Sequence, residues 1–130
     1  MEKLFDVFVK INGSVSVKGS KEDVCMIDFL GTAEGKYFNG RVMGTGTDTQ
    51  HISKDGKTRL SARYILEGAD ISGEQCRIFI ENNGSFEEGF VPHIVTDSKT
   101  LAQFENGELY AEVVCRDKDD VVVSVFGKIS

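Results

Sequence analysis

At 130 residues, 40% hydrophobic and 28% charged, the chain has the size of a single domain, residues 1–130. It holds enough apolar material to bury a core without disulfides or metal. Its net charge of -6 repels phosphate backbones and anionic headgroups, which argues against nucleic-acid and membrane partners. No apolar run approaches the length of a membrane span, and the first eleven residues alternate charged and apolar side chains instead of forming a signal-peptide core. Cys25, Cys76 and Cys115 are odd in number and widely spaced, so the expectation is a cytoplasmic protein with reduced, mostly buried thiols.

In chain order, the dominant pattern is an alternation of period two. Phe5, Val7, Val9 and Ile11 share one face of a first strand, and Asn12-Gly13 reads as a two-residue hairpin leading to a return strand at Ser14–Lys18. Val24–Leu30 reads as a strand apolar on both faces apart from Asp28. Glu34-Gly35 turns the chain into a strand at Lys36–Met43, and Asp55-Gly56 is a second hairpin signal. Leu60, Ala62, Tyr64 and Leu66 then alternate with Arg59, Ser61, Arg63 and Glu67, as Cys76, Ile78 and Ile80 do with Arg77, Phe79 and Glu81. Asn83-Gly84 reads as the end of that run, and Pro92 marks the next strand, Phe90–Val95, as an edge or bulge. A short helix is predicted near Asp97–Asn106 from its capping residues and the Leu101/Phe104 spacing. Leu109–Arg116 and Val121–Ile129 complete the set across an acidic turn. Eight to ten short strands with one helix predict an all-β protein. Closure into a small antiparallel β-barrel is favoured because Val121-Val122-Val123 would be hazardous on an open edge.

No motif assigns a reaction. His51 and His93 lie far apart, and nothing has metal-ligand spacing, so no metal and no cofactor are expected. Gly44-Thr45-Gly46-Thr47 lacks the ending of a phosphate loop and reads as a bend. The cysteines sit among apolar neighbours, where core packing is the commoner role. What remains is a group of polar residues in or beside apolar strand patterns: Asp28, Asp48, His51, Arg63 and Glu81. A few polar groups within an apolar wall are what a small-molecule pocket needs. Alternation alone leaves open which face is the inner one.

Phe38-Asn39-Gly40-Arg41-Val42, Gly44-Thr45-Gly46-Thr47-Asp48, Asp55-Gly56, Ala62-Arg63-Tyr64, Ile80, Asn82, Gly84, Pro92 and Thr96 together follow a pattern. Through them the chain resembles a family of small bacterial and fungal proteins known as a domain of unknown function, over about residues 30 to 106. The resemblance implies a β-barrel of the broad lipid-carrier, or calycin and lipocalin-like, type with a shared pocket. It makes Asp48, Arg63, Tyr64 and Thr96 the positions to watch, and His51 joins them as a neighbour of Asp48 in the sequence. The chain departs from the pattern at Thr49, where the family has Trp, at Gly44 and Thr45, where it has Pro and Gly, and at Gln103-Phe104, where it has Trp-Leu. The expected function is binding of a small organic ligand in the barrel. The alternative is an isomerase, cyclase or hydrolase type of enzyme in the same pocket, with Asp48 or His51 as acid/base and Arg63 holding an anionic group. A homo-oligomer built on an apolar outer face is a further expectation.

Overall fold

The computed structural model describes residues 1–129, folded as nine strands: β1 (Glu2–Lys18), β2 (Glu22–Glu34), β3 (Phe38–Val42), β4 (Gly46–Ser53), β5 (Thr58–Asp70), β6 (Gln75–Ser85), β7 (Gly89–Thr96), β8 (Leu109–Cys115) and β9 (Asp120–Gly127). All pairings are antiparallel, and the order β1-β9-β8-β7-β6-β5 returns to β1 through β2. β3 and β4 share the slot between β5 and β2, β3 pairing with one end of both neighbours and β4 with the other. Gly44, at φ 57° in the left-handed region, turns the chain between the two half-strands at little steric cost. The sheet is therefore a closed barrel with eight positions around the ring. A ring of that size encloses just enough space to be filled by side chains or to hold one small ligand.

The seam between β7 and β8 is the weakest, with Phe90↔Ala111 as its ladder pair. Pro92 lies on this strand, where a missing backbone donor costs least. Val121, Val122 and Val123 are paired with β1 on one side and β8 on the other, so the apolar triplet has no open edge.

The two halves of the interior differ. One end is packed solid by Leu4, Phe5, Phe38, Leu66, Ile78, Leu101, Phe104 and Val125, each 3% exposed or less. The connection between β7 and β8 folds across this end. Its Phe104 meets Tyr37 edge-on at 5.8 Å, and its Ser98 hydroxyl donates to buried Asp70 at 2.6 Å while accepting the Leu101 N–H at 3.1 Å. Asp70 also receives the Ser72 and Glu74 backbone N–H groups, and these donors hold its carboxyl below the usual range, the Ser72 hydroxyl foremost. The other end carries the β4–β5, β6–β7 and β8–β9 turns and is hollow.

Three local expectations are corrected. Asn12-Gly13 is not a hairpin: β1 runs on, and the register steps from Ile11↔Phe29 to Gly13↔Asp28, leaving Asn12 as a bulge. Pairing along twelve residues of β2 outweighs a local turn preference. Asn83-Gly84 does not end its strand either, because β6 continues to Ser85 and turns at residues 86–88. The predicted helix is a single 3₁₀ turn, Ala102–Phe104. Anchoring Leu101 and Phe104 in the barrel end while Ser98 holds Asp70 leaves no length for regular turns.

Phe104 closes the packed end, so Phe104→Ala should cost about 3–5 kcal/mol, read as a lower urea midpoint at an unchanged m value. Retention of wild-type stability would show that the plug is not part of the core.

Candidate functional site

The hollow end contains a cavity of ≈ 160 Å³. Its lining divides into two walls. Val9, Ile11, Ile27, Phe29, Val113, Val121 and Val123 form an apolar wall. The facing wall, on β4, β5 and β6, carries Asp48, Gln50, Tyr64 and Asn82. The lining reaches exposed Phe86 and Cys115 at the rim, and Phe86 meets Phe90 edge-on at 5.2 Å.

The register explains the hollow. Ala62 is paired with Asp48 on one side and with Asn82 on the other, so a small residue sits between two polar ones. Tyr64 is two residues along the same face and hence a diagonal neighbour of both, within side-chain reach. Its ring lies edge-on to Phe29 at 5.3 Å, and the side chain is 4% exposed. Asn82 is 5% exposed.

Three buried atoms in this wall lack a hydrogen-bond partner: Asp48 Oδ1, the Tyr64 hydroxyl and Asn82 Oδ1. Buried polar atoms are nearly always paired, and an unmade bond costs roughly 1–3 kcal/mol. The other oxygen of Asp48 accepts from the Gln50 amide at 3.0 Å. Burial pushes the Asp48 carboxyl above the ordinary aspartate range, opposed by the hydrogen bonds from Gln50 and the Ser61 backbone. Burial also raises the Tyr64 phenol, which stays protonated as a donor. Among the described residues, no Lys, Arg or His lines the cavity.

Of the residues singled out from the sequence, Asp48 and Tyr64 come together at this cavity and the others do not. Arg63 is one residue out of phase. It points outward, 65% exposed, and pairs directly across the strands with Glu81 at 2.8 Å. Asp48 and Arg63 therefore lie on opposite sides of the barrel wall, which removes the version of an enzyme in which both grip one substrate. His51 is also on the outer face, with its Nδ1 3.2 Å from Glu22. The Thr96 hydroxyl donates to the Arg77 carbonyl at 2.7 Å and accepts from the Ser98 N–H, so it builds the β7 end. Asp28 is exposed. Of the thiols, Cys76 is buried and Cys25 half-buried, while Cys115 is exposed instead of sitting in the core. The sequence places Asn82 in the family pattern without a role at the site, and gives no sign of Gln50. Asn82 had a signal: it falls in phase with Cys76, Ile78 and Ile80, a polar residue on an inward-facing run.

Tyr64→Phe removes a buried hydroxyl with no partner, so the unliganded variant should be more stable than wild type by about 1 kcal/mol in urea unfolding; a loss instead would mean that the hydroxyl is satisfied. For Asp48, a carboxyl raised on folding gives stability that is full below its unfolded pKa and lost as pH rises through the folded one. Asp48→Asn lacks that loss. It should gain on wild type as pH rises across that window, with the smallest difference at the acid side. Parallel stability curves would contradict the raised carboxyl.

Comparison with known proteins agrees with this architecture. Residues 1–113 match the family described as Protein of unknown function (DUF3237). A UPF0311 protein of Clostridium acetobutylicum is 33% identical over 88 residues, 64% of this chain and 52% of the relative. The chain thus spans about half the length of that curated relative. Among solved structures, a protein of unknown function from Clostridium acetobutylicum superposes with a TM-score of 0.83 at 23% identity, covering 97% of this chain and 96% of the other. A β-barrel-like protein from Acinetobacter baumannii gives 0.78 at 18% identity over 97% and 93%. An enzyme from Penicillium herquei gives 0.75 at 16% identity over 96% and 92%. At these identities the structures share the fold. With residues 1–113 matched, the chain belongs to the DUF3237 family of proteins of unknown function.

Proposed function

We propose that the barrel binds a small, uncharged organic molecule of about one ring, held with its apolar face against β1, β2, β8 and β9 and its polar edge against Asp48, Tyr64 and Asn82. The observation that carries this reading is the trio of unpaired buried polar atoms on one wall of an otherwise apolar cavity. A wall whose buried donors and acceptors meet no protein group is matched by a ligand that both accepts and donates hydrogen bonds, such as a phenol, a hydroxyketone or an enol.

Size and charge narrow the class. The volume of ≈ 160 Å³ is close to the roughly 150 Å³ of an engineered apolar cavity that takes up benzene. A carboxylate or phosphate would enter beside Asp48 with no cation in the lining, which disfavours anionic ligands. A second reading, catalysis, is favoured by the free carboxyl oxygen of Asp48 and is consistent with a structural neighbour described as an enzyme.

Thermal-shift measurements with phenol, cyclohexanone and benzoate test the proposal. The neutral compounds should raise the melting temperature, by an amount equivalent to about 2.7 kcal/mol at a hundredfold excess over Kd, and benzoate should not. Ala62→Phe, which fills the space between Asp48 and Asn82, should abolish the shift. Equal shifts in wild type and Ala62→Phe, or none with any neutral compound, would overturn the reading.

A further inference from the structure

We infer that the cavity is a proton-transfer site for neutral, enolisable carbonyl compounds, with Asp48 moving the proton and the Tyr64 hydroxyl holding the carbonyl oxygen. The inference rests on the binding reading above and adds a reaction to it.

The polar wall holds two groups with different duties. Asp48 is tethered through one oxygen by Gln50 at 3.0 Å, and its other oxygen is buried and unpaired. Held in this way at the cavity lining, the carboxylate keeps one oxygen free of any protein partner. Tyr64 presents an O–H that has no protein acceptor and, being fully protonated, acts as a donor. Because Tyr64 is diagonal to Asp48 across Ala62, a ketone whose oxygen accepts from Tyr64 brings its α-carbon along the wall toward Asp48. Among the described residues no ammonium, guanidinium or imidazole lines the cavity, so the charge that develops on oxygen is met by hydrogen bonds in a low-dielectric space, where such bonds are most effective. The Asn82 amide on the far side of Ala62 gives the wall a third polar contact for an enol or hydroxyl on the substrate.

The step balances without a co-reactant. Asp48 carboxylate takes the proton from the α-carbon. The C–H electron pair forms the carbon–carbon double bond of an enolate, and the carbonyl π pair moves to oxygen, where Tyr64 stabilises it. Asp48 then returns its proton to another carbon of the same conjugated system. For a β,γ-unsaturated ketone the product is the conjugated isomer, and in deuterated water the same cycle exchanges α-hydrogens. The raised carboxyl of Asp48 suits both halves of the cycle, since a general base works best with a pKa moved toward the operating pH.

The test uses the whole chain with the β,γ-unsaturated cyclohexenone, following conjugation by ultraviolet absorbance and α-deuteration of cyclohexanone by NMR. Wild type should accelerate both over buffer. Asp48→Asn should lose about a hundredfold or more while still showing the cyclohexanone thermal shift, and Tyr64→Phe should lower kcat with a smaller effect on KM. The acid limb of the wild-type pH–rate profile should lie above the ordinary aspartate range and vanish in Asp48→Asn. If wild type binds cyclohexanone yet deuterates it no faster than Asp48→Asn or buffer, the proton-transfer inference is overturned and the binding reading stands. If wild type neither binds nor reacts with these ketones, both fall. Ala62→Phe, which leaves Asp48 in place but blocks the cavity, should be inactive; activity in that variant would place the reaction elsewhere and overturn the inference.

Discussion

Closing eight strand positions into a ring fixes how much room lies inside, and the rest of this protein follows from how the sequence divides that room. At one end, large residues from every side of the ring, together with Leu101 and Phe104 from the β7–β8 connection, use all of it. At the other end the inward positions of β4, β5 and β6 hold Asp48, Ala62 and Asn82 side by side, and the volume that a Leu or Phe at the centre would occupy stays open. The packed half supplies stability and the closed ladder supplies rigidity, so the open half can carry unpaired polar groups without loss of the fold.

Those groups are costly to bury. A tyrosine hydroxyl, an amide oxygen and a carboxyl oxygen without protein partners each oppose folding. The selectivity proposed for the site rests on the same lining, in which donors and acceptors stand without a cation among the described residues. Positions on the outer face follow ordinary surface rules. Arg63–Glu81 and Arg77–Glu67 are cross-strand ion pairs in solvent, of the kind worth little to stability.

Much of this was legible in the sequence. The in-phase set Leu60, Ala62, Tyr64 and Leu66 and the set Cys76, Ile78 and Ile80 are inward-facing in the barrel, and Asp55-Gly56 and the acidic stretch after Arg116 are turns. Asn12-Gly13 and Asn83-Gly84 misled, because a turn-competent dipeptide permits a turn but does not compel one. β1 and β6 each have a neighbour long enough to keep them extended past it. The 97–106 segment carries helix signals, yet its length is set by two anchors in the barrel end. At the site, alternation put Arg63 and Tyr64 on opposite faces without saying which was inside. That choice depends on ring closure, a non-local property. Gln50 owes its role to its bond with Asp48, which spacing on one strand does not reveal.

The most direct measurement is a crystal structure of the protein soaked with cyclohexanone. The ring should lie between Ala62 and Val121, with its oxygen within hydrogen-bond distance of the Tyr64 hydroxyl and an α-carbon facing Asp48. A barrel whose hollow end is instead filled by its own Phe86 side chain, with no ring inside, would contradict it.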